Sequence, residues 1–232
     1  MKDEASVGSA EALSGSTAPG GGHEQRPVHS PPELSRVYGS ETVTEKRAHY
    51  ERWARTYDFD LECGMGWAAP ATVVGLLRKF LPDKSSKILD AGCGTGLVGA
   101  ELSKSGYRQL TGIDFSAQML RQAERRGIYS SLSEGDLTKP LDLSDRFDAT
   151  LCVGLFGFGP PHVEHLHHLT ATVPPGNPTI VTINSKGWDA MNWAEKLPRE
   201  IEHRRLEMKL LQTIDYLPKV RIDARLLVIT RQ

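Results

Sequence analysis

The sequence is poor in cysteine: 232 residues hold only Cys63, Cys93 and Cys152. They are widely separated and odd in number, which argues against a disulfide framework and against a Cys-x-x-Cys metal site. Reduced thiols are expected, as in the cytoplasm or the nucleus. No apolar run approaches membrane-spanning length. The opening MKDEASVGSA has no apolar core, so no secretory signal is expected. Neither sign of charge prevails: 28 basic against 29 acidic residues leave a formal net charge of -1. That balance carries no general footprint for nucleic acid or an anionic membrane surface.

What the chain does have divides at about residue 40. Residues 1–40 are rich in Gly, Ser, Ala, Pro and Glu, as in SGSTAPGGG and HSPPELS. Such a stretch buries too little apolar surface to offset chain entropy and reads as a disordered tail. Residues 41–232 read as one domain. Thr42 and Glu45 form a capping box at a helix start. Tyr50, Trp53, Ala54 and Tyr57 then fall on one helical face. APATVVGLLRKFLP is a second helix, bounded by Pro70 and Pro82.

From Lys87 onward strands and helices alternate. KILDAG, QLTGIDF, YSSLSEGDL, FDATLCVGLF and PTIVTIN read as strands. LVGAELSKSGY, SAQMLRQAERRG, PHVEHLHHLTATV and WAEKLPREIEHRRLE read as helices, the last interrupted at Pro198. The alternation implies an α/β fold, a parallel sheet with helices on both faces. MKLLQTIDYL and ARLLVITRQ have no helix between them and imply an antiparallel C-terminal hairpin.

In such sheets ligands bind beyond the carboxyl ends of the strands, near the point where strand order reverses. The chemistry-bearing residues at those ends are Asp90 with the turn that follows it, Asp114, Asp136, and the stretch after Val153. ILDAGCGTG does not fit a dinucleotide loop, whose third glycine belongs where Leu97 stands. A pyrophosphate there also meets the like charge of Asp90 with no cation in the loop. The Gly-Lys-Ser/Thr of a Walker loop is absent.

The pattern instead suits a ligand with an amino group for Asp90 and a diol for Asp114. Asp136 can accept from an exocyclic purine amine, and Leu137, Phe115 and Met119 supply apolar walls. S-adenosylmethionine meets each requirement.

ILDAGCGTG, GIDFS, GDL and FDATLCVG, in that order, resemble the successive motifs of class I S-adenosylmethionine-dependent methyltransferases, over about residues 42–232. The resemblance implies a Rossmann-like sheet of seven strands with a reversed final hairpin strand. It implies that Asp90, Gly92, Cys93, Gly94 and Gly96 hold the methionine moiety, Asp114 the ribose, and Asp136 with Leu137 the adenine. It places Cys152 and Val153 beside the sulfonium and Tyr57 as a lid. PPGNP stands where many relatives carry PGG before the fifth strand.

No catalytic base and no metal site are assigned. His162, His165, His167 and His168 read as the polar face and cap of a helix. Cys93 reads as a small residue that fits a tight turn, and Asn184 as a residue that could touch substrate. The expected activity is methyl transfer to a small molecule. Two other readings stay open at this point: a non-catalytic cofactor-binding scaffold, and a nicotinamide-dependent oxidoreductase, which Leu97 and Asp90 disfavour.

Overall fold

The computed structural model describes residues 31–143 and 145–232. The described part of the stretch expected to be a tail, residues 31–40, contains a helix. Pro32–Tyr38 form helix α1, with Leu34 and Val37 buried in the core. Proline at the first helical position is compatible with a helix start, and two apolar side chains one turn apart find a packed partner. The rest of the expected tail, residues 1–30, lies outside the described residues.

Helix α2, Val43–Trp53, starts at the capping box: Thr42 accepts from the Glu45 nitrogen, and Glu45 reaches back to the Thr42 nitrogen. A short α3, Tyr57–Phe59, runs into a π-helical stretch, Asp60–Met65. Helix α4, Ala69–Phe80, buries Val73, Val74 and Leu77. Strand β1 (Lys87–Ala91), helix α5 (Leu97–Lys104), strand β2 (Gln109–Asp114), helix α6 (Ala117–Arg125), strand β3 (Ser131–Glu134) and strand β4 (Ala149–Phe156) follow.

A 3-10 turn, Val163–His165, leads into a short helix α7, Leu166–Thr170, so the histidine-rich helix is less regular than its pattern implies. Strand β5 (Thr179–Asn184) is followed by α8 (Ser185–Ala190), which the periodicity did not reveal. Asn184 caps it, its Oδ1 accepting from the nitrogens of Lys186 at 2.9 Å and Gly187 at 3.3 Å. Helix α9, Trp193–His203, continues through Pro198 rather than breaking there, with Trp193 and Leu197 buried. Strands β6 (Leu206–Leu217) and β7 (Ile222–Arg231) complete the chain.

The seven strands lie in the order β3-β2-β1-β4-β5-β7-β6. β1 to β5 are parallel, and β7 is antiparallel to both β5 and β6. The hairpin read from the C-terminal sequence is therefore present. Alternate residues feed the two faces: Ile88, Leu110 and Leu151 join one core cluster, and Leu89, Ile113 and Cys152 the other. Strand order reverses between β1 and β4, and their carboxyl ends open the crevice where the site forms. Among the described residues, no helix is long and apolar enough to cross a membrane.

Candidate functional site

The turn after β1 is held from two sides. Gly92, Gly94 and Gly96 have φ of 76°, 56° and 88°, a region closed to most side chains. The nitrogens of Gly92 and Cys93 donate to the Ile113 carbonyl at 2.7 and 2.9 Å. The Gly94 nitrogen donates to Asp114 Oδ2 at 2.9 Å, and the Ser116 nitrogen to Asp114 Oδ1 at 2.9 Å. One carboxylate thus ties the glycine turn to the end of β2 and starts α6. Burial pushes Asp114 up to about 6, against the pull of those backbone donors.

Two adjoining cavities share Gly92, Asp114, Phe115 and Leu155 as walls. The outer one adds Asp136, Leu137, Thr138 and Lys46; the inner one adds Gly94, Met119, Val153, Gly154, Tyr50 and Tyr57. Nine of the sequence-selected residues therefore come together: Tyr57, Gly92, Gly94, Asp114, Phe115, Met119, Asp136, Leu137 and Val153.

Asp90, Cys93 and Gly96 line neither cavity. Asp90 is 1% exposed and accepts the Tyr129 hydroxyl at 2.6 Å. Burial pushes it up to about 7, which the Tyr129 hydrogen bond moderates. Gly99 makes room for this pair: a Cβ there would sit 2.2 Å from the Tyr129 hydroxyl oxygen. Cys93 packs its sulfur against Gly112, where an added Cβ would lie 3.0 Å away. Burial raises the thiol well above its usual range, so it is a small packed residue rather than a nucleophile. Gly96 is closed off by Arg126 and Tyr129, 3.0 and 3.1 Å from its would-be Cβ.

Asp136 accepts from the Thr138 nitrogen at 3.0 Å and hydroxyl at 2.7 Å. Burial raises it, but Thr138 and the charges of Lys139 and Arg47 outweigh that, and it is held below the usual carboxylate range. Burial raises the phenols of Tyr50 and Tyr57, so both are neutral donors. Tyr50, Trp53, Tyr57 and Phe115 form a connected aromatic wall, with ring centroids 4.8 to 6.2 Å apart.

Lys46, Thr138, Leu155 and Tyr129 were not singled out from the sequence. Lys46 is the most unusual: it is 3% exposed, and its Nζ donates to the carbonyls of Phe158 at 2.8 Å and Pro160 at 2.9 Å. Burial lowers it to about 8. Its position one turn before Tyr50, on the inner side of α2, is the only sequence signal for it. Asn184 does not face the cavities; it caps α8 and donates to the Tyr38 hydroxyl at 2.8 Å. His168 lies behind the site, its Nδ1 3.2 Å from the Leu137 carbonyl.

A family model described as a methyltransferase domain matches residues 88–176, the span from β1 to the turn before β5. That span carries the glycine turn and the parallel half of the sheet, so this part of the chain is similar to a methyltransferase domain. Human methyltransferase-like protein 27, from the Williams-Beuren region, is 38% identical over 150 residues, covering 63% of this chain and 61% of that protein. Demethylmenaquinone methyltransferase of Corynebacterium kroppenstedtii is 36% identical over 100 residues, 43% of this chain and 42% of that one. The aligned parts thus span less than two thirds of these relatives' own lengths.

Solved structures show the same fold. The [4+2]-cyclase SpnF superposes with a TM-score of 0.64 at 17% identity, covering 83% of this chain and 97% of that one. The magnesium protoporphyrin IX methyltransferase of Synechocystis, with S-adenosylmethionine bound, gives 0.52 at 17% identity, covering 86% and 90%.

Proposed function

We propose that the protein transfers a methyl group from S-adenosylmethionine to a small-molecule acceptor. The observation that carries this reading is the order of groups along the paired cavities. Asp136 and Leu137 stand at one end, Asp114 is shared in the middle, and Gly94 and Tyr57 stand at the other. That order matches adenine, ribose and methionine.

The residues fit the cofactor. An added Cβ at Gly94 would meet nothing within 4 Å, so bare backbone faces open space where the methionine end needs a close approach. Asp114 keeps lone pairs free for two hydroxyls beside its backbone bonds. Leu137 and Phe115 offer apolar faces to a purine, and Asp136 an acceptor to its amine. Asp90, Cys93 and Gly96 serve by shaping the turn rather than by touching the ligand.

When bound, S-adenosylmethionine supplies an electrophilic methyl group whose in-line transfer to an acceptor lone pair leaves S-adenosylhomocysteine. The protein's part is to hold both partners in line and exclude water. Val153 borders the sulfonium end, and Met119 adds to the apolar wall. Tyr50 and Tyr57 cover the sulfonium end, their ring faces suited to its charge. The aromatic wall of Tyr50, Tyr57 and Phe115 along the inner cavity supports a compact acceptor over a polymer. The buried, unpaired thiols of Cys93 and Cys152 fit a reducing compartment, cytoplasmic or nuclear.

The test is methyl transfer from tritiated S-adenosylmethionine to cell extract separated into small-molecule and macromolecular fractions. Label in the small-molecule fraction supports the reading. Label confined to protein or nucleic acid overturns the acceptor class, and no label in either fraction overturns the activity.

A further inference from the structure

The segment from α2 to the π-helical stretch crosses the open ends of the strands, and three side chains fasten it there. Lys46 holds the carbonyls after β4. Glu51 accepts from the Ser116 hydroxyl after β2 at 2.9 Å. The third is Asp58, which reaches the glycine turn itself.

Thr95 Oγ1 donates to one oxygen of Asp58. Arg126, at the end of α6, donates from Nη2 to the other oxygen at 2.5 Å and from Nε to the Thr95 carbonyl at 2.7 Å. The three residues close a ring that joins the covering segment, the turn and α6.

The ring's place gives it leverage. Thr95 is 1% exposed and stands between Gly94 and Gly96, so it is part of the turn that faces the methionine end. Asp114 pins that turn from one side through Gly94, and Asp58 pins it from the other. The residue before Asp58 is Tyr57, a wall of the inner cavity. Arg126 and Asp58 are 27% and 39% exposed at their side chains, so the ion pair alone adds little to global stability. Its effect is local: it fixes the distance between the wall and the turn.

We infer that Asp58, acting through Thr95 and Arg126, is a positioning residue that clamps the Tyr57 wall onto the glycine turn and sets the residence time of the adenosyl ligand. This rests on assigning the cavities to S-adenosylmethionine. Opening the clamp frees the wall without removing any group that touches the ligand, so release quickens more than association slows.

The test is the release rate of S-adenosylhomocysteine from the full chain, measured by stopped-flow displacement. Asp58→Asn and Thr95→Val each release it at least about tenfold faster, the effect of losing one hydrogen bond to a charged group. Thr95→Ser, which keeps the hydroxyl, releases it at the wild-type rate. The Asp58→Asn/Thr95→Val double variant is no faster than either single one, because both break the same ring. A general loss of stability would not produce that pattern. Wild-type release rates in both single variants, or effects that multiply in the double variant, overturn the clamp alone. Failure of the wild-type chain to bind S-adenosylhomocysteine overturns the cofactor assignment, and the clamp with it.

Discussion

The Tyr129 hydroxyl donates to Asp90 Oδ2 at 2.6 Å, beneath the glycine turn and away from both cavities. The acid that opens the glycine motif is thus a buried support whose partner is supplied from 39 residues further along the chain. Tyr129→Phe leaves that carboxyl with one donor fewer in a dry site. The expected cost is about 1–3 kcal/mol of unfolding free energy, read from urea titrations at pH 7. An unchanged midpoint would show that the hydrogen bond adds nothing.

The raised acids set a pH dependence. Asp90 stands at about 7 and Asp114 at about 6 in the folded chain, against an ordinary 3.8. Between about pH 4 and 7 the folded state therefore holds protons that the unfolded chain has lost. Stability falls as pH rises through that window, by up to about 1.4 kcal/mol per pH unit for each group. Asp90→Asn removes its share. The difference in unfolding free energy between wild type and Asp90→Asn, followed from pH 5 to pH 8, should shift toward the variant as pH rises. A difference that does not change with pH contradicts the assignment.

Ligand binding runs the other way with pH. Ribose hydroxyls need Asp114 ionised, so affinity for S-adenosylhomocysteine should weaken by about tenfold from pH 7 to pH 5 as Asp114 takes up its proton. Asp114→Ala should lose about 100-fold at pH 7, the equivalent of about 3 kcal/mol for two hydrogen bonds to a charged group. Its residual binding should be flat across that range. Circular dichroism serves as the check that the variant stays folded.

Gly94→Ala separates fold from site. At φ 56° an alanine costs about 1–2 kcal/mol of stability. Apart from its chain neighbours, its methyl meets no protein atom within 4 Å, so on the proposed reading it competes with the ligand for open space. The loss of S-adenosylhomocysteine affinity, measured by calorimetry, should exceed tenfold, while the variant remains folded at 25 °C. Full affinity would place the methionine moiety elsewhere.

Much of this site was legible because its parts sit at strand ends in chain order. Asp114 and Asp136 close β2 and the turn after β3, and the glycines mark where the chain turns sharply; both follow from local pattern. What the pattern could not carry was direction and long-range partners. Nothing in the local pattern around Asp90 shows that Tyr129, 39 residues away, is its hydrogen-bond partner. Lys46 looks like one more helix-surface cation until the carbonyls of Phe158 and Pro160, more than 110 residues away, cover it. Helix α1 was hidden because Pro- and Ser-rich composition masks Leu34 and Val37, whose burial is a tertiary effect. Helix α8 is six residues long and shows too little periodicity to stand out; its cap, Asn184, instead drew attention as a substrate contact.

The most direct measurement is a calorimetric titration of the wild-type chain with S-adenosylmethionine, S-adenosylhomocysteine and NADH, repeated on Asp114→Ala. Saturable one-to-one binding of both adenosyl ligands, weakened about 100-fold in the variant, with no heat from NADH, is the predicted result. Binding of NADH without either adenosyl ligand, or adenosyl binding untouched by Asp114→Ala, would contradict it.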